Sequence, residues 1–66
     1  MELLILKSNM DYIRIKVEGP VLVHLDKASV FPMDQIDRVK AHKADLIASG
    51  FKNVSIRKLI LTEEDV

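Results

Sequence analysis

The sequence predicts a small α+β domain in which one helix packs on one face of a four-stranded mixed β-sheet. Three observations predict this fold: one stretch with helical periodicity, three short apolar or alternating segments before it, and one alternating segment after it. The predicted order of elements is therefore β-β-β-α-β. Residues 1–66 are expected to form a single domain, because a chain of this length has room for only one hydrophobic core.

The helix is predicted over residues 32–49. Pro32 suits a first helical turn, where its missing N–H needs no partner, and Asp34 favours the positive end of the helix dipole. At the other end, Gly50 stands where a left-handed C-terminal cap belongs. Phe51 can then close back onto the last turn. Both ends of the helix are thus marked in the sequence.

One charged residue interrupts the apolar stripe of this helix. The predicted stripe consists of Pro32, Ile36, Val39, Leu46 and Ile47. Lys43 projects near the middle of that stripe, between Val39 and Ile47. We expect its methylenes to lie on the sheet while its ammonium reaches solvent past a sheet edge. A buried functional amine is the alternative, which is disfavoured because charged side chains are seldom fully buried.

Three strands are predicted before the helix. Residues 3–6 are all apolar, as in interior strands whose two faces are both covered. Residues 12–18 alternate between apolar and polar side chains, which is typical of a half-exposed antiparallel strand. Gly19 and Pro20 break that run, and the third strand follows at residues 21–25.

The last strand is predicted over residues 53–62. Its alternation is interrupted at Lys58, and a bulge near Arg57 and Lys58 would restore a single apolar face. For the connection at residues 26–30 the sequence leaves two forms open, an irregular loop and a short extension of the third strand. Residues 63–66 are expected to be a solvated, frayed acidic tail.

The predicted topology follows from how many times the chain reverses its direction between successive elements. If the first three strands form a meander, a helical crossover brings the fourth strand in parallel to its neighbour, which gives a mixed sheet. That neighbour is strand three or strand one. The two apolar faces of residues 3–6 favour an interior position for strand one and therefore the order 3-2-1-4.

A single helix leaves the other side of the sheet uncovered, and this side is the predicted working surface. An apolar centre with a polar rim containing tyrosine and arginine is typical of a protein interface. The centre would be Leu3 with Ile5, or Leu4 with Leu6, and parity alone does not choose the pair. The candidate interaction residues are Tyr12, Arg14, Lys16, Leu22, His24 and Arg57, with Ser55 beside them. We expect a homodimer or another protein on this surface.

The sequence predicts no enzyme, cofactor or metal site. Nucleophilic catalysis needs a nucleophile beside an oriented base, and the candidates are four serines with His24 or His42. None of the serines, which are Ser8, Ser29, Ser49 and Ser55, lies in a nucleophile elbow. His42 is expected on the polar face of the helix as a solvated residue. Without cysteine, thiolate metal sites and disulfides are excluded.

Single-stranded nucleic acid is the alternative partner for the uncovered side. Tyr12, Arg14, Lys16 and Arg57 could combine stacking with phosphate contact, as sheet-based RNA modules do. Ten basic residues balance ten acidic ones, however, and there is only one tyrosine. Protein association is therefore favoured over nucleic acid. The short apolar run at the start predicts neither a signal peptide nor a membrane span, so we expect a cytoplasmic protein.

Overall fold

The computed structural model describes residues 1–65 and shows one helix packed with a five-stranded sheet. The α+β class with a single helix is therefore confirmed. The strands are β1 (Glu2–Ser8), β2 (Asp11–Lys16), β3 (Gly19–Val23), β4 (Val30–Pro32) and β5 (Val54–Ile60). The helix, α1, spans Ile36–Ala48, and short 3-10 turns at Leu25–Lys27 and Met33–Gln35 flank β4. The predicted tail has no regular structure through Asp65, and Val66 lies outside the described residues.

Strand β1 is the centre of the sheet. Along one edge it pairs with β5 over its whole length, from Glu2 opposite Ile60 to Ser8 opposite Val54. The other edge is shared by two strands, since β2 pairs near Lys7 and β4 pairs at the opposite end of β1. The order β3-β2-β1-β5 confirms the predicted order 3-2-1-4, in which the last predicted strand is β5.

The prediction of four strands with a parallel pair is wrong in detail, because every pairing with β1 is antiparallel. The cause is β4, at Val30–Pro32, which the sequence pattern did not separate from the start of the helix. This short strand reverses the chain direction once more before α1, so that the strand after the helix runs antiparallel to β1. The helical crossover then joins β4 to β5, which run in the same direction on opposite edges of β1.

Ser29 holds β4 between the diverging strands β1 and β2. These strands pair only at their hairpin end, so the edge of β2 beyond Tyr12 needs other partners. The main-chain N–H of Ser29 donates to the carbonyl of Ile13 at 3.1 Å. The Ser29 hydroxyl accepts from the main-chain N–H of Ile15 at 2.8 Å. One residue therefore satisfies two backbone groups of β2.

The helix begins later than predicted and ends as predicted. Pro32 is extended, with φ −61° and ψ 153°, and belongs to β4 instead of the first helical turn. At the other end, Gly50 has φ +98° and its N–H donates to Ile47 at 3.1 Å. The N–H of Phe51 donates to the carbonyl of Leu46 at 3.1 Å. These two bonds form the Schellman arrangement that Gly50 predicts.

The core lies between α1 and one side of the sheet. Its buried members are Leu4, Leu6, Ile13, Phe31, Val39 and Leu46. The two pairs of alternating residues in β1 can now be assigned to the two sides of the sheet. Leu4 and Leu6 face the helix, so Leu3 and Ile5 point to the uncovered side.

The buried stripe of α1 is rotated from the predicted one. Ile47, which was expected inside, is 54% exposed. His42, which was expected in solvent, is half-buried, and its ring centroid lies 5.6 Å from that of Phe31. The cause is again β4, because Phe31 adds an aromatic ring to the core on the side of α1 that carries His42. Lys43 is also only partly buried.

Strand β5 has no bulge, so that prediction is wrong. Its register with β1 is unbroken over seven residue pairs. Lys58 therefore faces the helix side of the sheet opposite Leu4, but at an edge where it remains exposed. Its ammonium lies 2.8 Å from a carboxylate oxygen of Glu2, the next helix-side residue of β1. A lysine is tolerated in this position because it reaches both water and a counter-ion.

Candidate interaction face

The side of the sheet opposite α1 is here called the open face, and the strand register defines it. Side chains that lie opposite each other in neighbouring strands point to the same side. Starting from Leu3 and Ile5, the open face comprises Leu3, Ile5, Lys7, Tyr12, Arg14, Lys16, Gly19, Val21, Val23, Val30, Pro32, Ser55, Arg57 and Leu59. Reciprocal hydrogen bonds between Met1 and Leu61, at 2.8 and 2.9 Å, continue the same register at one end.

Four of the six predicted interaction residues lie on the open face. They are Tyr12, Arg14, Lys16 and Arg57. The placement of Leu22 is wrong, because it pairs with Ile13 and so shares the helix side. His24 is exposed beyond the end of β3, directly before a 3-10 turn. The reason is the tight turn that places Gly19 opposite Lys16, which fixes Val21 and Val23 as the open-face residues of β3.

The centre of the open face is apolar. Ile5 is 3% exposed although no helix covers it, because β4 and β5 flank it with Val30 on one side and Arg57 on the other. Leu3 and Leu59 lie beside each other at the next register position and are partly buried. Val30 is 49% exposed. Because Ile5 itself is buried, the aliphatic surface that a partner could contact consists of Leu3, Leu59 and Val30.

The charged residues of the open face are all basic. They are Lys7, Arg14, Lys16 and Arg57, and no carboxylate lies among the open-face residues defined above. In β1 and β2, the carboxylates of Glu2 and Asp11 belong to the helix side, since their neighbours in register are Ile60 and Ser8. A chain with no net charge thus has a positively charged sheet face. The sequence contained this signal, but reading it required the register of all the strands.

Two of these basic side chains contact other groups of the protein. The ammonium of Lys7 lies 5.4 Å from the centroid of the Tyr12 ring, within the range of a cation–π interaction. The guanidinium of Arg14 donates to the main-chain carbonyl of Lys27 at 3.5 Å, a long bond that leaves most of its donors free. Lys16 and Arg57 are exposed. The rim of the open face therefore presents positively charged hydrogen-bond donors that can bind carboxylates.

A cleft of about 340 Å³ lies near the C-terminal end of α1 on the helix side, and Ser8 and Leu22 help to line it. The hydroxyl of Ser8 donates to the carbonyl of Lys52 at 2.7 Å. Beside it, the amide nitrogen of Asn53 donates to the side-chain oxygen of Asn9 at 2.6 Å. Since these polar groups satisfy one another, they tie the β1 turn to the segment before β5.

A smaller cavity, of about 120 Å³, lies beneath α1 and brings together His42, Asp45 and Ser49. These residue types could form a catalytic relay only if hydrogen bonds joined them. Within residues 1–65, the buried Nε2 of His42 has no hydrogen-bond partner, and no bond joins it to the other two. The predicted solvent exposure of His42 is wrong, and its spacing from Val39 and Leu46 is the signal in the sequence that fits the buried stripe.

Three further observations bear on function. In the described part of the chain, no group of three or more histidine or carboxylate side chains could hold a metal ion. None of the helical segments in residues 1–65 is long and apolar enough to cross a membrane. Comparisons with protein-family models, curated proteins and solved structures found no match.

Proposed function

We propose that this protein is a non-enzymatic binding module whose open face holds a surface of another protein that carries carboxylates around an apolar patch. The observation that supports this most is the composition of the face: aliphatic and at least partly exposed at Leu3, Val30 and Leu59, and basic without a carboxylate around them. Apolar burial would supply affinity, and the cations would supply specificity. We further propose a cytoplasmic location, which the cysteine-free sequence supports.

The same composition favours a different protein over a second copy of this chain. A two-fold dimer through the open face would bring Lys7, Arg14, Lys16 and Arg57 of each copy against the matching face of the other. Like charges placed together at an interface are unfavourable. An acidic partner would turn the same charges into favourable contacts.

Single-stranded nucleic acid is the second candidate, and the row of Tyr12, Arg14 and Lys16 along β2 is what favours it. Two observations favour protein instead. Base stacking needs a free aromatic face, and the ammonium of Lys7 lies over one face of Tyr12, the single tyrosine of the chain. The aliphatic centre around Ile5 has no counterpart in a phosphate backbone.

Selection from a displayed library of random peptides tests the proposal. We expect wild-type protein to enrich peptides that combine apolar residues with Asp and Glu. The double variant Arg14→Glu with Lys16→Glu should lose this enrichment. The matched control, Arg38→Glu with Lys40→Glu, makes the same charge change on the exposed side of α1 and should retain it. Failure to enrich acidic peptides, or equal enrichment by both double variants, would contradict the proposal.

A fluorescence titration with a mixed-sequence oligonucleotide at low salt tests the alternative. Binding that disappears in the Arg14→Ala, Lys16→Ala variant would favour nucleic acid over protein. We expect no such binding. Both experiments use the same two positions of β2, so their results can be compared directly.

A further inference from the structure

The outer edge of β5 has free backbone groups in a regular pattern. Met1 and Leu61 exchange two hydrogen bonds, so they form a hydrogen-bonded pair of the β1–β5 ladder. Such pairs alternate along an antiparallel ladder, and the odd-numbered residues of β5 therefore bond to β1. The N–H and C=O groups that point away from the sheet belong to Val54, Ile56, Lys58 and Ile60. No pairing or hydrogen bond within residues 1–65 uses this edge.

The opposite edge of the sheet is less suited to pairing. Strand β3 has five residues, and it begins with Gly19 and Pro20. Proline has no N–H to donate, and proline on an edge strand is a common protection against pairing. Strand β5 has seven residues without proline, glycine or a bulge. Of the two edges, β5 is the one that can accept a further strand along most of its length.

The side chains of β5 indicate what such a strand would contain. Arg57 and Lys58 are adjacent at the middle and exposed, and Ile56 and Leu59 flank them. Directly opposite residues in antiparallel strands interact, favourably for opposite charges and for apolar pairs. We propose that the β5 edge binds an extended segment of another protein as a sixth strand, with two adjacent carboxylates between apolar residues. This surface is distinct from the centre of the open face, so the proposal does not depend on the function proposed above.

A second copy of the chain is a poor occupant of this edge. Antiparallel pairing of β5 with itself about a two-fold axis near its middle places either Arg57 opposite Arg57 or Lys58 opposite Lys58 of the other copy. Either register puts like charges directly opposite each other, which is destabilising. The same pair of cations thus disfavours self-association and favours an acidic strand.

Titration of ¹⁵N-labelled full-length protein with two short blocked peptides tests this. The first probe has the sequence Thr-Val-Glu-Glu-Val-Thr. The second has two lysines in place of the two glutamates. We expect the glutamate peptide to bind at least about tenfold more tightly, because it replaces repulsion by attraction at two positions. The amide signals of Ile56 and Lys58 should shift the most and should become protected from hydrogen exchange. Equal binding of the two peptides would overturn the proposal.

Two variants of Lys58 separate strand addition from simple charge attraction. Lys58→Pro removes an outward N–H without removing a bond to β1, whereas Lys58→Ala keeps that N–H; both variants lose the Lys58 charge and its ion pair with Glu2. We expect Lys58→Pro to bind the glutamate peptide about fivefold more weakly than Lys58→Ala does, and equal affinities would contradict strand addition. Should Lys58→Pro fail to fold, the glutamate peptide N-methylated at the glutamate opposite Lys58 decides, because this peptide loses a strand-pairing N–H and keeps its charge; unchanged affinity for wild-type protein would contradict strand addition. Sedimentation of free wild-type protein as a dimer that dissociates when peptide is added would identify a second copy as the occupant instead.

Discussion

The Ser29 hydroxyl accepts a hydrogen bond from the main-chain N–H of Ile15 at 2.8 Å, and this contact joins β2 to the segment that leads into β4. Without it, the free edge of β2 would have a partly buried donor and no acceptor. The contact also positions Val30, the next residue, at the centre of the open face beside Ile5. The fold and the proposed binding surface thus share this one side chain.

Replacement of this hydroxyl should be costly. We expect Ser29→Ala to lower the free energy of unfolding by about 1–2 kcal/mol, because it leaves the N–H of Ile15 without a partner. Urea denaturation followed by circular dichroism measures the change. Ser49→Ala is the control, since Ser49 is exposed, and it should change stability by less than about 0.5 kcal/mol. Equal effects of the two substitutions would show that the Ser29 contact does not support the sheet.

The C-terminal cap of α1 depends on Gly50. A Cβ at this position would meet nothing within 4 Å, so the cost of Gly50→Ala comes from its φ of +98° alone. We expect a loss of about 1 kcal/mol in the free energy of unfolding, and a smaller loss for Gly50→Asn, since asparagine tolerates positive φ better. Thermal or urea denaturation of both variants checks the order. A loss that is larger for asparagine than for alanine would contradict the conformational explanation.

The Glu2–Lys58 ion pair should be visible in a titration. The hydrogen bond and the charge of Lys58 hold the pKa of the Glu2 carboxyl below its ordinary value of 4.5. A lowered pKa in the folded state means that the pair stabilises the fold above about pH 4.5, and that this contribution is lost as the pH falls through the lowered pKa.

The measurement for this pair is an NMR titration of the Glu2 side chain in wild type and in Lys58→Met. We expect the pKa to lie below 4.5 in wild type and to rise toward that value in the variant. Both side chains are about half exposed, so added salt should shrink the difference. An unchanged pKa in the variant would show that the pair does not persist in solution.

Removal of the buried polar atom of His42 should stabilise the domain. Its Nε2 is buried with no hydrogen-bond partner among the described residues, and its ring lies against Phe31. We expect His42→Leu to raise the free energy of unfolding by about 1 kcal/mol, because leucine keeps much of the volume without the unpaired atom. His24→Leu, at an exposed position, is the control and should change it by less than about 0.5 kcal/mol. A clear destabilisation by His42→Leu would mean that the histidine has a partner in solution.

The sequence predicted the features that depend on local signals. Gly50 followed by Phe51 predicted the end of the helix, because the left-handed cap is specified by a single residue type. The apolar residues at both faces of β1 predicted its central position, because only an interior strand has both faces sheltered. Each of these signals is contained within a few consecutive residues.

The features that were missed depend on contacts between distant residues. Strand β4 is too short, at Val30–Pro32, to show any alternation, and it is a strand only because its three residues pair with residues 3–5 of β1. The position of Leu22 depends on how the turn before Gly19 sets the register of β3. For the same reason, the basic character of the open face became visible only when the neighbours of every strand were known.

The most direct test of the open face is an NMR shift map of a library-selected acidic peptide on the protein. We expect the largest shifts at Lys7, Tyr12, Arg14 and Val30, all on the open face, and little change along the exposed side of α1 at Arg38. Shifts concentrated on the outer surface of α1, with the open-face signals unchanged, would show that the open face is not the binding surface.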